Sequence, residues 1–231
     1  MEFFNTALHY PGTEKYDSAG RELIKIEAQR SHKPLVMSEY GSPDHNGFIL
    51  AETINVDFVY LKPVSWQYWQ PFDSSFDWSM INFRSDDVNG WWGVNRDAWR
   101  VNNKYFVMAQ FSRHIRPGMA VWSRDEFNKD NNGYNLIESV DMASKKLVVV
   151  RTVYGGVDDN EFIYDFSQFV EEVNSDSSFI TYFYRSWITT DDSSFQYFAE
   201  ENQGFEDVGK FRLKAGHTTP GSIQTLEIQL A

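Results

Sequence analysis

The first group in this chain with the makings of chemistry is a carboxylate at the end of a short apolar run. Pro34-Leu35-Val36-Met37-Ser38-Glu39-Tyr40-Gly41 stays apolar almost to Glu39 and is then broken by Gly41, Ser42 and Pro43. That pattern predicts a buried strand that delivers one acid to an edge. Strand side chains alternate, so Leu35, Met37 and Glu39 share a face, and in a parallel barrel the carboxyl end of such a face opens into the active site. Glu39 is therefore the first candidate for catalysis. Competing chemistries find less support. Ser38 has no nearby histidine and acid to activate it, and no glycine-rich phosphate loop is present. Asp44 with His45, and Asp86 with Asp87, lack the two-histidine or calcium-loop spacing of a metal site, so neither a metal nor another cofactor is expected. Asp191-Asp192 and Glu200-Glu201 read as solvated faces.

Composition narrows the partners. The 231 residues are 42% hydrophobic, enough for a real core in one large domain or two modest ones. Aromatic residues reach 17%, a richness common where flat apolar faces such as sugar rings are bound, although core packing accounts for most of them. A net charge of -12, from 21 basic and 33 acidic residues, argues against nucleic acid or an anionic membrane as the main partner. No apolar stretch is long enough to span a bilayer, and Met1 is not followed by a signal-peptide pattern. Without cysteine there is no disulfide or thiolate chemistry.

The elements that position Glu39 follow from periodicity. Phe3 to Tyr10 reads as a strand ending in His9 and Tyr10, before a Pro11-Gly12 turn. Ser18 caps a helix to about Ser31, with Leu23, Ile26 and Arg30 on one face and Glu22, Lys25 and Gln29 on the other. After the Glu39 strand, Phe48, Ala51, Ile54, Phe58 and Leu61 have the spacing of a helix with one buried stripe, ended by Lys62-Pro63. Val64 to Gln70 is an aromatic strand stopped by Pro71. Phe72 to Asn103 reads as a long irregular excursion carrying Trp78, Trp91, Trp92 and Trp99, and a helix from Lys104 to Ile115 follows. Arg116-Pro117-Gly118 punctuates the chain. Beyond it lie short alternating runs, including a hairpin of Asn135–Asp141 with Lys146–Val153 and later strands at Ser178–Ile188, Lys210–Lys214 and Gln224–Leu230, the texture of an antiparallel β-sandwich. The expected organisation is α/β over residues 1–115 and all-β over 116–231.

Three ordered motifs carry a family resemblance: Val36-Met37-Ser38-Glu39-Tyr40-Gly41, then Trp66-Gln67-Tyr68-Trp69-Gln70-Pro71, then Asn103-Lys104-Tyr105 through Gln110-Phe111-Ser112-Arg113-His114-Ile115-Arg116-Pro117-Gly118. Together they closely resemble glycoside hydrolase family 30, in its endo-β-1,6-galactanase branch. The resemblance implies that residues 1–115 are the last three β/α units, strands six to eight, of a TIM barrel, and that the chain looks truncated at its start. Residues 116–231 would be the β-sandwich that follows the barrel.

The same resemblance implies a secreted, retaining glycosidase in which Glu39 is the nucleophile and a β-linked polysaccharide, above all β-1,6-galactan, is the substrate. A retaining enzyme needs an ionised carboxylate to attack the anomeric carbon and a protonated one about 5 to 5.5 Å away to protonate the leaving oxygen. The family takes that second group from an Asn-Glu-Pro motif, which this sequence does not contain. Asn160-Glu161-Phe162 is its nearest echo and does not inherit the role. The 231 residues alone are thus expected to be inactive. His9, Tyr10, Tyr40, Trp69 and Gln70 are the expected substrate contacts, and Trp91 with Trp92 is equally well an outer subsite or loop core. The alternative is a non-catalytic carbohydrate-binding or structural module.

Overall fold

A computed structural model describes residues 2–9, 18–44, 46–74, 78–83, 99–123, 134–153, 162–173, 180–190, 199–200, 205–215 and 221–231. The chain divides into two compact units, Met1–Met108 with Asp192–Gln196, and Ala109–Asp191 with Tyr197–Ala231.

The first unit opens with β1 (Phe4–His9), α1 (Ser18–Arg30), β2 (Leu35–Gly41), α2 (Phe48–Val56) and β3 (Ser65–Tyr68). β2 lies between β1 and β3, and both neighbours run parallel to it. This is the strand, helix, strand, helix, strand order that periodicity predicts, and parallel strands require such crossovers. The apolar positions Leu35, Val36 and Met37 are all buried, so both faces of the central strand are covered.

Strict alternation does not run the length of β2. Thr6 pairs with Met37 and Ala7 with Glu39, which leaves Ser38 as an extra residue, and the register against β3 slips between Met37 and Tyr40. Ser38 Oγ donates to the Thr6 carbonyl at 2.9 Å across this irregularity. A bulge re-aims the side chains beyond it, so the alternation linking Leu35 and Met37 to Glu39 is interrupted immediately before the acid.

The helices also depart from the simple one-stripe pattern. On α1 the buried residues are Arg21 and Ala28, while Leu23 and Ile26 are exposed, the reverse of the apolar face read from spacing. The reason is a distant partner: Arg21 Nε donates to Asp57 Oδ1 at 2.6 Å, and this contact turns the helix. α2 is covered from Leu50 to Val56 and continues as a π-helical turn, Asp57–Leu61, ended by Lys62 in the left-handed conformation. It is a buried helix with nearly all of its circumference covered, which its small fraction of charged residues permits. Asp44 caps its start, accepting Gly47 N–H at 3.0 Å and Leu50 N–H at 3.1 Å. Gly47 has φ +82, and a Cβ there would lie 2.6 Å from Lys104 Cα, so both conformation and space demand glycine.

The stretch from Phe72 is not irregular throughout. β4 (Phe72–Asp73), β5 (Ile81–Phe83) and β6 (Trp99–Val101) form a small sheet in which β5 runs parallel to β4 and antiparallel to β6. Strands of two or three residues are too short to leave a period-2 signature. α3 (Asn103–Ser112) then begins one residue earlier and ends three residues sooner than its apolar spacing indicates.

The second unit carries β7 (Ala120–Ser123), β8 (Tyr134–Asp141), β9 (Lys146–Val153), β10 (Ile163–Asp165), α4 (Ser167–Val173), β11 (Tyr182–Thr190), β12 (Ala199–Glu200), β13 (Phe205–Gly209), β14 (Arg212–Ala215) and β15 (Ser222–Leu230). One sheet runs β12-β11-β15-β9-β8-β7 with every pairing antiparallel, and a second runs β10-β14-β13. One apolar core draws Leu136, Val149 and Leu226 from the first sheet and Tyr164 and Leu213 from the second, with Phe169 and Val170 from α4. The β8–β9 turn is organised by Asp141, whose carboxylate accepts the Ala143 and Ser144 N–H groups and the Ser144 hydroxyl. α4 escapes sequence reading because seven residues are too few for a helical period to stand out.

Glu227 on β15 ties this unit together electrostatically, with His114 Nδ1 at 2.7 Å and Lys146 Nζ at 2.6 Å from the same Oε1. Burial pushes its carboxyl up, but the hydrogen bonds and charges of His114 and Lys146 outweigh that and hold it below the usual glutamate range. A depressed folded-state value stabilises the fold above the ordinary range and is lost as pH falls through the folded value. Thermal unfolding followed by β-sheet circular dichroism should therefore show a midpoint that drops on acidification below the usual glutamate range. Glu227→Gln should flatten that acid limb and lower the midpoint at neutral pH; an unchanged acid limb would discount the interaction.

Candidate functional site

Glu39 stands in the last third of β2, half-buried, with Ala7 of β1 opposite. The strand order puts it on the middle strand of the parallel trio, and the segments that follow β2 and β3 in sequence meet beside the next residues, Tyr40 and Gly41. Trp69 N–H donates to the Tyr40 carbonyl at 2.7 Å, continuing the β2–β3 pairing past Tyr68. The approach is close at Gly41, where a Cβ would lie 2.9 Å from the Trp69 carbonyl oxygen and 3.0 Å from the Trp78 ring. The break after Glu39 thus has a steric basis, because only glycine lets the two strand ends meet.

Tyr40 is fully buried, its hydroxyl 3.1 Å from Thr53 Oγ1 on α2 and its ring tilted against Trp66 and Tyr68. Burial pushes its phenol up, so it stays protonated throughout the working range of proteins. Trp69, 41% exposed, offers part of its indole to solvent and is held edge-on by Trp78 at 6.2 Å. Its peptide bond to Gln70 is cis. Gln70 Nε2 donates to Asp73 Oδ2 at 2.5 Å, which orients the amide. β1 brings His9 beside Gly41, at the same end of the sheet as Glu39, although its side chain is outside the described residues. Tyr10, Trp91, Trp92 and Glu161 also lie outside them.

Behind these groups stands a cluster that sequence reasoning does not single out. Lys104, the second residue of α3, is fully buried and its Nζ donates to the Ser42 carbonyl and to the Tyr68 hydroxyl, each at 2.9 Å. Tyr68 in turn donates to the Trp78 carbonyl at 2.6 Å. Lysine ordinarily reads as a solvated side chain, and its place within the Asn103-Lys104-Tyr105 motif is the only sequence signal for it.

Chemically, the arrangement offers the Glu39 carboxylate, the exposed aromatic face of Trp69 and an amide oriented by the Asp73 carboxylate at one end of a parallel sheet. Among the described residues no group of three or more histidine, aspartate or glutamate side chains is placed to hold a metal ion. No helix among them is long and apolar enough to cross a membrane.

No family model matches the chain. An endo-β-1,6-galactanase from Hypocrea rufa is 31% identical over 140 residues, which is 60% of this chain and 26% of that protein. Among solved structures, a conserved exported protein from Bacteroides fragilis aligns with a TM-score of 0.61 at 19% identity, over 97% of this chain and 46% of that one. An arabinose-bound family 51 α-L-arabinofuranosidase aligns with a TM-score of 0.57 at 8% identity, over 98% of this chain and 37% of that one. Such identities carry the fold alone, which the chain shares with part of each of these structures. The chain spans about a quarter of the galactanase and under half of these two structures. In sequence, the chain is similar to an endo-β-1,6-galactanase over about a quarter of that protein's length.

Proposed function

We propose that this chain is the nucleophile-bearing, C-terminal part of a retaining glycosidase that hydrolyses β-linked polysaccharide outside the cell, with β-1,6-galactan the favoured substrate. In this reading residues 1–115 supply strands six to eight of a TIM barrel and residues 116–231 an antiparallel β-sandwich. The observation that carries it is the placement of Glu39 at the carboxyl-end portion of the middle strand of a parallel trio, where barrel enzymes keep their chemistry. The sequence relation to a galactanase supports the substrate, and the exported neighbour is compatible with a role outside the cell.

The mechanism follows from the carboxylate. Ionised Glu39 attacks the anomeric carbon and forms a glycosyl ester while a protonated carboxyl group gives its proton to the leaving oxygen; water then hydrolyses the ester with that second group acting as base. Trp69 stacks on a sugar ring, and Gln70, oriented by Asp73, meets a hydroxyl. His9 and Tyr10 complete the wall around the sugar, whereas Tyr40, expected from the sequence to touch it, is fully buried with its hydroxyl at Thr53 and supports the strand from within. With no Asn-Glu-Pro among the 231 residues, the acid comes from outside them, and the 231 residues alone release no measurable reducing sugar from β-1,6-galactan.

Treating the native polypeptide that carries this sequence with a 2-fluorogalactosyl fluoride, which traps the ester, tests the assignment. Mass spectrometry of the digested protein should find the sugar on Glu39. Labelling on another carboxylate, or none, refutes the nucleophile.

A further inference from the structure

A lysine with no exposed surface is expensive unless its ammonium is paired, because burial removes its hydration. Lys104 meets that requirement with partners drawn from β3 and from the segment that follows β2. Its Nζ donates to the Ser42 carbonyl, three residues beyond Glu39, and to the Tyr68 hydroxyl on β3, each at 2.9 Å, and it lies 5.4 Å from the Tyr68 ring centroid. The Tyr68 hydroxyl passes the connection on, donating to the Trp78 carbonyl at 2.6 Å. Trp78 packs edge-on against Trp69 and closes over Gly41. Burial pushes the Tyr68 phenol up, and the nearby Tyr40, Asp44 and Asp73 push it further, so the hydroxyl keeps the proton that it donates to Trp78.

These connections converge on the two strand ends that carry the reading above. We infer that Lys104 is a positioning residue: its ammonium clamps the segment after β2 to β3 and so sets the placement of the Glu39 carboxylate relative to the Trp69 platform. This inference rests on the proposal that Glu39 is the nucleophile. Lys104 touches neither substrate nor reacting atoms; it acts through Ser42, Tyr68 and Trp78. The seat is tight as well as polar, since Gly47 packs against the Lys104 backbone with no room for a Cβ. A small displacement of a nucleophile is costly in rate, with misplacement by about 1 Å worth on the order of 10²-fold.

The test uses the native polypeptide and two substitutions, Lys104→Met, which keeps length and removes the charge, and Tyr68→Phe, which removes the hydroxyl at the centre of the relay. The rate constant for covalent labelling by a 2-fluorogalactosyl fluoride is measured at saturation, beside the half-saturating concentration and the thermal midpoint. The expected result is a fall of roughly ten- to a hundred-fold in the saturated rate constant for Lys104→Met, and a smaller fall for Tyr68→Phe. The half-saturating concentration should change little in both. A merely structural lysine would lower the thermal midpoint and the amount of folded protein while leaving the rate constant per folded molecule intact. If Lys104→Met does not fold, Tyr68→Phe alone decides. Undiminished saturated labelling in every variant that folds overturns the Lys104 assignment and leaves the nucleophile standing. Failure of the unmodified polypeptide to be labelled at Glu39 overturns the nucleophile assignment, and this inference with it.

Discussion

Replacing Glu39 with glutamine should lower turnover of an aryl β-galactoside by the native polypeptide by a factor on the order of 10⁴ to 10⁶, the scale on which enzymes lose activity with their nucleophile. Glutamine has nearly the same shape and retains the hydrogen-bonding reach of the carboxylate, but it cannot form the glycosyl ester. The half-buried side chain sits on a strand whose neighbours Leu35 to Met37 and Tyr40 are buried, so a near-isosteric change leaves the packing alone and the unfolding midpoint should move little. A second readout separates chemistry from damage. In Glu39→Ala, which vacates the carboxylate's space, azide can attack the anomeric carbon from the side that Glu39 serves, and with an activated aryl leaving group it should restore turnover while yielding a glycosyl azide of inverted configuration. Full activity in Glu39→Gln, or loss of activity that azide does not relieve in folded Glu39→Ala, would sink the nucleophile assignment. The natural polysaccharide should not be rescued to the same degree, because its poor leaving group still depends on general acid catalysis, typically worth about 10² to 10⁴ in rate.

How much of this was legible in the sequence depends on whether the governing contact is local. The run to Glu39, the Ser18 start and the hairpin from Tyr134 to Val153 are local patterns, and the elements fall within a few residues of where those patterns put them. The inward face of α1 is governed by Asp57, 36 residues from Arg21, so no window over the helix contains the information; read alone, Leu23 and Ile26 outweigh an arginine. The bulge at Ser38 is of the same kind, being a property of how β2 pairs with β1 and β3. Lys104 is the most instructive case, because its type argues for solvent while its position, two residues after Asn102 and within reach of Ser42 and Tyr68, buries it completely. The motif order made the family resemblance readable without these details, since motifs report what a family keeps and say nothing of which contacts keep it.

Substituting Arg21 by methionine should destabilise the first unit by about 3 to 5 kcal/mol, the usual cost of leaving one half of a buried pair without the other. Asp57 has no exposed side-chain surface and Arg21 has 7%, with the Arg21 Nε to Asp57 Oδ1 distance 2.6 Å. Trp66 Nε1 donates to the other carboxylate oxygen at 2.7 Å, so one aspartate holds α1, the π-helical turn and β3 together. Burial pushes the Asp57 carboxyl up, while the charge and hydrogen bond of Arg21 and the hydrogen bond of Trp66 oppose that rise. Removing Arg21 deletes the larger opposition, and the carboxyl moves further up. The pH dependence of the variant has a definite sign. A carboxyl whose folded-state value lies above its unfolded value is destabilising in its ionised form, and that penalty is relieved as pH falls toward the folded value. The stability deficit of Arg21→Met, measured by urea denaturation, should therefore be largest at neutral pH and shrink on acidification, as Asp57 takes up a proton and stays buried as a neutral acid hydrogen-bonded to Trp66. Arg21→Met/Asp57→Asn should recover much of the loss at neutral pH, because the amide carries no charge to strand. A deficit under about 1 kcal/mol, within the range of an exposed ion pair, would mean that the contact contributes little to the fold. A deficit independent of pH would place its origin in lost packing of the arginine stem, since that term has no proton to exchange.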